Sequence, residues 1–150
     1  MTVLVDTREK KHAHVLAYFD RHGIEYREQK LDEGDYMIEG ADSITVDRKQ
    51  NLGELSRNLL NAQDHTRFWK EVRRCRQNGK KLIVLCEHGG KIKSIEDVAL
   101  WTDKYSGVTG RSLRKEIYRV HMAYGVEFLF CDKRSTGRRI IEILTEAHNQ

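Results

Sequence analysis

The stretch E-G-D-Y-M-I-E-G-A-D-S-I-T-V-D-R-K, residues 33 to 49, constrains this chain more than any other. It has the pattern of a hairpin. Gly34-Asp35 opens a short strand carrying Tyr36, Met37 and Ile38. Residues 39 to 43 form the turn, where Gly40 is free to take a positive φ, and residues 44 to 49 form the returning strand. Side chains alternate across a strand, so Ile44, Val46 and Arg48 share one face and Thr45, Asp47 and Lys49 the other. This places a carboxylate and an ammonium on one surface, with Asp35 on the neighbouring strand. Two carboxylates suit a hard divalent cation, which prefers oxygen ligands, and a lysine beside it suits a phosphate or an attacking water. The spacing alone is common in a chain that is 33% charged: Glu9-x-Lys11 and Glu28-x-Lys30 repeat it. Only the third instance has the strand pattern and the upstream Gly-Asp. On pattern alone, a solvated hairpin face is the slightly better explanation.

The wider order of motifs is more specific. V-D-T-R-E at 5 to 9, G-D-Y at 34 to 36 and V-D-R-K at 46 to 49 follow one another along the chain. This resembles the nuclease domain of the XPF-type structure-specific endonucleases, a branch of the PD-(D/E)xK superfamily. Their pattern is V-D-x-R-E, then G-D, then a strand ending in E-R-K-x-x-x-D. Two positions depart from it. Asp47 stands where the family has glutamate, and Gly53 stands where it has the final aspartate, with Glu54 next to it.

The resemblance implies a restriction-endonuclease-like α/β fold, a central mixed sheet flanked by helices. It also implies cleavage of DNA phosphodiesters with Mg²⁺ or Mn²⁺ at branched, flap or fork substrates. Asp35 and Asp47 are then expected to ligate the ion. Asp6 supplies a third carboxylate or orients water, and Lys49 positions the nucleophile. Arg8, Glu9 and Arg48 are expected to hold these groups in place. The family usually carries a helix-hairpin-helix module after this domain; residues 1 to 150 are expected to form the nuclease domain alone. Substrate grip then falls to basic helices, a homodimer or a partner chain. The rival expectation is a degenerate DNA-binding or scaffolding domain of the same fold. RNA as substrate is a third, since nothing here reads a 2′-hydroxyl.

Composition sets wider bounds. The chain has 150 residues, enough for a hydrophobic core. Its mean hydropathy is −0.69 and no apolar run approaches a membrane span of ~18 residues. The N-terminal residues lead straight into a strand without a signal-peptide layout. Cys75, Cys86 and Cys131 are an odd number without C-x-x-C spacing, which fits a reducing, intracellular setting. A net charge of +4 permits a polyanionic partner without demanding one.

The remaining segments alternate between strand and helix patterns. Strands are expected at residues 2 to 5, 24 to 31, 82 to 86 and 126 to 131. Helices are expected at 9 to 22, from Asn51, at 64 to 77, from about 94 to 101, from Arg111 and at 138 to 148. The 64 to 77 helix carries Arg67, Lys70, Arg73 and Arg74, and the next basic helix carries Arg111, Arg114 and Lys115. Each set is either a solvated face or a surface that tracks nucleic-acid phosphates. The loop 106 to 112 is rich in glycine but lacks a G-x-x-x-x-G-K pattern, so no nucleotide cofactor is expected.

Overall fold

The computed structural model describes residues 1 to 146. Its frame is a six-stranded mixed sheet. The strands are β1 (Thr2–Val5), β2 (Glu25–Glu28), β3 (Tyr36–Ile38), β4 (Ala41–Lys49), β5 (Lys81–Glu87) and β6 (Glu127–Cys131), in the spatial order β2-β1-β3-β4-β5-β6. The β1–β3 and β3–β4 pairs are antiparallel, and β1–β2, β4–β5 and β5–β6 are parallel. Five helices cover it: α1 (Ala13–Arg21), α2 (Leu52–Leu60), α3 (Ala62–Gln77), α4 (Gly110–Tyr124) and α5 (Thr136–Glu146). Two short 3-10 helices, Glu96–Leu100 and Lys133–Ser135, complete the order.

The alternation along each strand sorts the core into two layers. Leu82, Val84 and Cys86 of β5 pack with Leu52, Leu55, Phe68, Val72, Leu113 and Ile117 from α2, α3 and α4. Ile83 and Leu85 face the other way, joining Val3, Val5, Val15, Phe19, Tyr36, Val46 and Ile140 under α1 and α5. β4 obeys the same rule, so Val46 and Arg48 belong to the α1/α5 side and Asp47 and Lys49 to the α2/α3 side.

Helix ends follow their capping chemistry. Asn51 caps α2 by accepting from Glu54 N at 2.8 Å, and Thr109 caps α4 through Ser112 N at 3.2 Å. Asn61 does two jobs. It ends α2 and also caps α3, accepting from Gln63 N at 3.1 Å.

Several boundaries differ from the sequence expectation. The hairpin turn is only Glu39-Gly40, with Gly40 at φ 78°, so β4 begins at Ala41. Helix α1 begins at Ala13 rather than residue 9. Residues 8 to 10 are spent on tertiary contacts instead: Arg48 donates to Glu9 Oε2 at 2.7 Å and to the Lys10 carbonyl at 2.5 Å. Such contacts outweigh the weak preference of that segment for helix. Cys131 is half-buried because β6 is an edge strand. Residues 147 and 148 of the expected last helix lie outside the described residues.

Candidate active site

The carboxyl ends of β1 and β4 and the start of β3 meet in a cleft of about 660 Å³ roofed by α2 and α3. Asp6, Asp35, Asp47 and Lys49 all line it. Backbone pairing sets their spacing. Asp6 N donates to Asp35 O at 2.9 Å, and Asp35 N to Val46 O at 2.7 Å. Asp35 Oδ2 then accepts from Arg48 N at 2.8 Å. The aspartate on β4 and the one preceding β3 are thereby brought side by side, and Asp47 is within hydrogen-bonding reach of Asp35.

Lys49 Nζ lies 3.1 Å from Asp47 Oδ2 and also donates to Asn58 Oδ1 of α2. Burial disfavours its charge, but Asp47, Glu71 and Asp35 outweigh that and hold the ammonium well above its ordinary pKa. The lysine is therefore a fixed cation. Burial also works against the Asp47 charge, but Lys49 and hydrogen bonds with Glu71 and Asp35 keep this carboxyl below its usual range. Asp35 is pushed up, first by burial and then by the Asp47 and Glu9 charges.

Glu71 of α3 completes the cluster, and the sequence reading overlooked it. Its Oε1 accepts from Gly34 N at 2.8 Å, and it hydrogen-bonds with Asp47. Burial and the Asp47 charge both raise its pKa. The available signal was an acid set among the cations of one helical face: Arg67, Glu71 and Arg74 recur at i, i+4 and i+7, and all three line the cleft. Gly34 makes this contact possible. Its φ is +73°, and a Cβ there would stand 1.9 Å from Thr45 Oγ1.

The other expected residues fall into separate places. Asp6 is buried, but Oδ1 accepts from Leu31 N at 2.9 Å and Oδ2 accepts from Arg8 Nε at 3.0 Å. Arg8 in turn donates to the Leu31 carbonyl at 2.7 Å. Together they brace the segment leading to Asp35. The Glu9 and Arg48 side chains lie on the far face of the sheet. There Arg48 pairs with Glu9 and Glu87, Tyr36 OH donates to Glu9 at 2.8 Å, and His14 Nε2 meets Glu87 Oε2 at 2.9 Å. The Arg48 side chain is 1% exposed. Only its backbone amide touches the cleft side. His14 and Glu87 are both absorbed in this network.

Among the basic residues, Arg67, Lys70 and Arg74 line the cleft, and Arg73 is exposed outside it. Arg111, Arg114 and Lys115 on α4 are not part of the lining, and Arg114 is paired with Glu96 at 3.4 Å. At Gly53 a Cβ would meet Asn51 Oδ1 at 3.1 Å and Arg57 Nη1 at 3.6 Å, while Glu54 lines the cleft.

Comparison with known proteins agrees with this architecture. No curated protein matches the chain. Among solved structures, XPF from Aeropyrum pernix superposes with a TM-score of 0.72 at 21% identity, covering 100% of this chain and 66% of that one. XPF from Aeropyrum pernix in complex with DNA gives 0.72 and 21%, covering 99% and 65%. The chain thus spans just under two thirds of these structures' length. The shared fold is the restriction-endonuclease-like α/β layout of the XPF nuclease domain. The family model of the ERCC4 domain matches residues 5–144. With nearly its whole length matched, the chain belongs to the ERCC4 domain family.

Proposed function

We propose that this chain is a divalent-metal-dependent endonuclease that hydrolyses phosphodiester bonds of DNA at branched, flap or fork structures. The observation that carries the reading is the convergence of Asp35 and Asp47 beside the charged Lys49 in one cleft. The DNA complex of the similar Aeropyrum pernix XPF supports DNA as the substrate class.

The donor set fits a hard cation. Asp35, Asp47 and Glu71 crowd together against one ammonium, and two of the three have pKa values raised by burial and mutual repulsion. A cluster short of positive charge favours an ion. Among the described residues no three His, Cys, Asp or Glu side chains are placed to hold a metal ion together, so an ion here would rest on two carboxylates. Two carboxylates with the remaining positions left to water and phosphate match what Mg²⁺ prefers. Asp35 and Asp47 would hold it. The chemistry that Mg²⁺ or Mn²⁺ supplies when bound is positive charge against the phosphate and a more acidic water.

The chain's own groups do the rest. Lys49, held by Asp47 and Asn58, presents a fixed ammonium to the phosphate oxygens and to the attacking water. Asp6 and Arg8 hold the segment that carries Asp35. Arg67, Lys70 and Arg74 line the approach for the phosphate backbone.

The test is cleavage of flap and fork DNA with and without Mg²⁺, for wild type, Asp47→Asn and Lys49→Ala. Each variant is assayed below its own melting midpoint, because both residues are buried. Cleavage is expected to need the metal and to fall on the order of 10²-fold or more in each variant. Folded variants that cut at wild-type rates would remove the D-R-K strand from the site. Metal-independent DNA binding without any cleavage would favour the degenerate binding domain instead.

A further inference from the structure

Beyond α2 from the candidate site lies a second groove, of about 370 Å³, walled by Trp101, Tyr105, His88 and Gly53. Arg57 lines both cavities. Arg57 is exposed and makes no direct ion pair among the described residues, although Asp103 lies near enough to feel its charge, and Nη1 lies where a Gly53 Cβ would be 3.6 Å away. Arg57 therefore stands between the two hollows, and Lys104 is a second exposed cation on the outer one.

The loop that closes this groove is rigidly built. A bridge joins Thr102 to Thr109, and Asp103 N donates to the Val108 carbonyl at 3.1 Å. The Asp103 carboxylate is consumed inside the loop, accepting from Tyr105 N at 3.0 Å and Ser106 Oγ at 2.6 Å. Gly107 makes the return at φ 74°. At the loop's base a Cβ on Gly110 would stand 2.2 Å from the Val98 carbonyl and 2.4 Å from that of Trp101, so α4 is pressed onto the preceding turn. This framework holds out Tyr105, which is 96% exposed. Trp101 differs: it is half-buried and packs against the core, forming a wall. Folding gains nothing from an aromatic ring left almost wholly in water.

The geometry points to Tyr105 as a stacking plate for an unpaired nucleobase of the strand that leaves the cleft past Arg57. Ordered aromatics beside cations are how proteins hold single strands without reading sequence, since every base offers a π-face. Arg57 takes the phosphate between the two hollows, and Lys104, exposed beside Tyr105, takes the next. The occupant is thus a single-stranded arm, which gives preference for forks and flaps over intact duplex a physical source. This inference rests on the endonuclease reading above.

The experiment measures binding of a fork with unpaired arms, carrying 2-aminopurine along one arm, and of a paired duplex of equal length. Wild type, Tyr105→Ala and Tyr105→Phe are compared, with melting curves for each. Quenching at one arm position is expected in wild type and in Tyr105→Phe, which keeps the ring. Tyr105→Ala is expected to lose roughly tenfold on the fork, and the quenching with it, with duplex binding and the salt slope unchanged. Equal binding of the fork by wild type and Tyr105→Ala overturns the inference, as does parallel loss on fork and duplex. A change in sedimentation mass without a change in fork affinity makes Tyr105 a self-association contact and also overturns it. A wild type that binds neither DNA removes the endonuclease reading itself, an outcome distinct from losing the stacking site alone.

Discussion

Asp47 and Arg48 are neighbours on β4 and serve opposite faces of the sheet. Asp47 points into the cleft, with Lys49 Nζ 3.1 Å from its Oδ2. Arg48 points away, to Glu9 at 2.7 Å and to Glu87. The D-R-K triplet is therefore divided between the two faces of the sheet by strand alternation alone. Its outer members face the cleft, and its middle member ties β4 to the ends of β1 and β5.

Replacing Arg48 tests that division. Arg48→Met keeps the bulk but leaves Glu9 and Glu87 facing each other without their cation. Removing one partner from a buried ion pair typically costs about 3–5 kcal/mol. A large fall in the melting midpoint is expected, and adding Glu87→Gln to the same chain should recover part of it. Unchanged stability in Arg48→Met would show that the network contributes nothing.

Glu71 is the second target. Glu71→Gln preserves an oxygen to accept from Gly34 N but removes the charge. The midpoint of cleavage against Mg²⁺ concentration is expected to move to higher metal, by roughly 10- to 100-fold. Calorimetric titration with Mn²⁺ should show the same shift without DNA present. An unmoved metal midpoint would reduce Glu71 to a brace for Gly34.

The carboxylate cluster couples protons to stability. Asp35 and Glu71 have raised pKa values when folded, so the native state holds their protons more tightly than the unfolded chain. Their contribution is full below the ordinary carboxylate range and is lost as pH rises through the raised folded values. A bound cation opposes that loss. The rise in melting midpoint on replacing chelator with Mg²⁺ should be larger at about pH 8 than at about pH 5, where protons compete with metal. A rise that is the same at both would argue against a metal among these groups.

The cations of α3 divide by position. Lys70 and Arg74 line the cleft and Arg73 does not. Lys70→Ala with Arg74→Ala should flatten the slope of log affinity against log salt by about 2, at roughly 0.9 per phosphate contact. Arg73→Ala should leave it unchanged. Equal effects from all three would mean that the whole helix face tracks the backbone.

Much of this was legible in the residues. Strand alternation placed Asp47 with Lys49, and Asn51 marked the start of α2. The ordered motifs pointed to the family. What escaped was set by contacts between distant segments. Arg48 takes up Glu9 from a loop 39 residues away in sequence, and no local pattern shows that residues 8 to 10 give up helix for it. Glu71 enters the site only because the α2–α3 turn brings its helix over Gly34. The cations of α4 were equally basic in sequence, yet α4 packs beyond α2 on the same side of the sheet and none of them lines the cleft.

Asn61, the one residue between α2 and α3, has φ −79° and ψ 126°. One helix brings Asn58 to Lys49, and the other brings Glu71 to Asp47. Glu71 sits about 15 Å along α3 from this joint, at ~1.5 Å per residue. A rotation of ~5° at the pivot therefore swings it by on the order of 1 Å, a displacement that can change rates by ~10²-fold. The elbow acts as a lever, and changes at Asn61, remote from Asp47 and Lys49 in the chain, would set the width of the cleft.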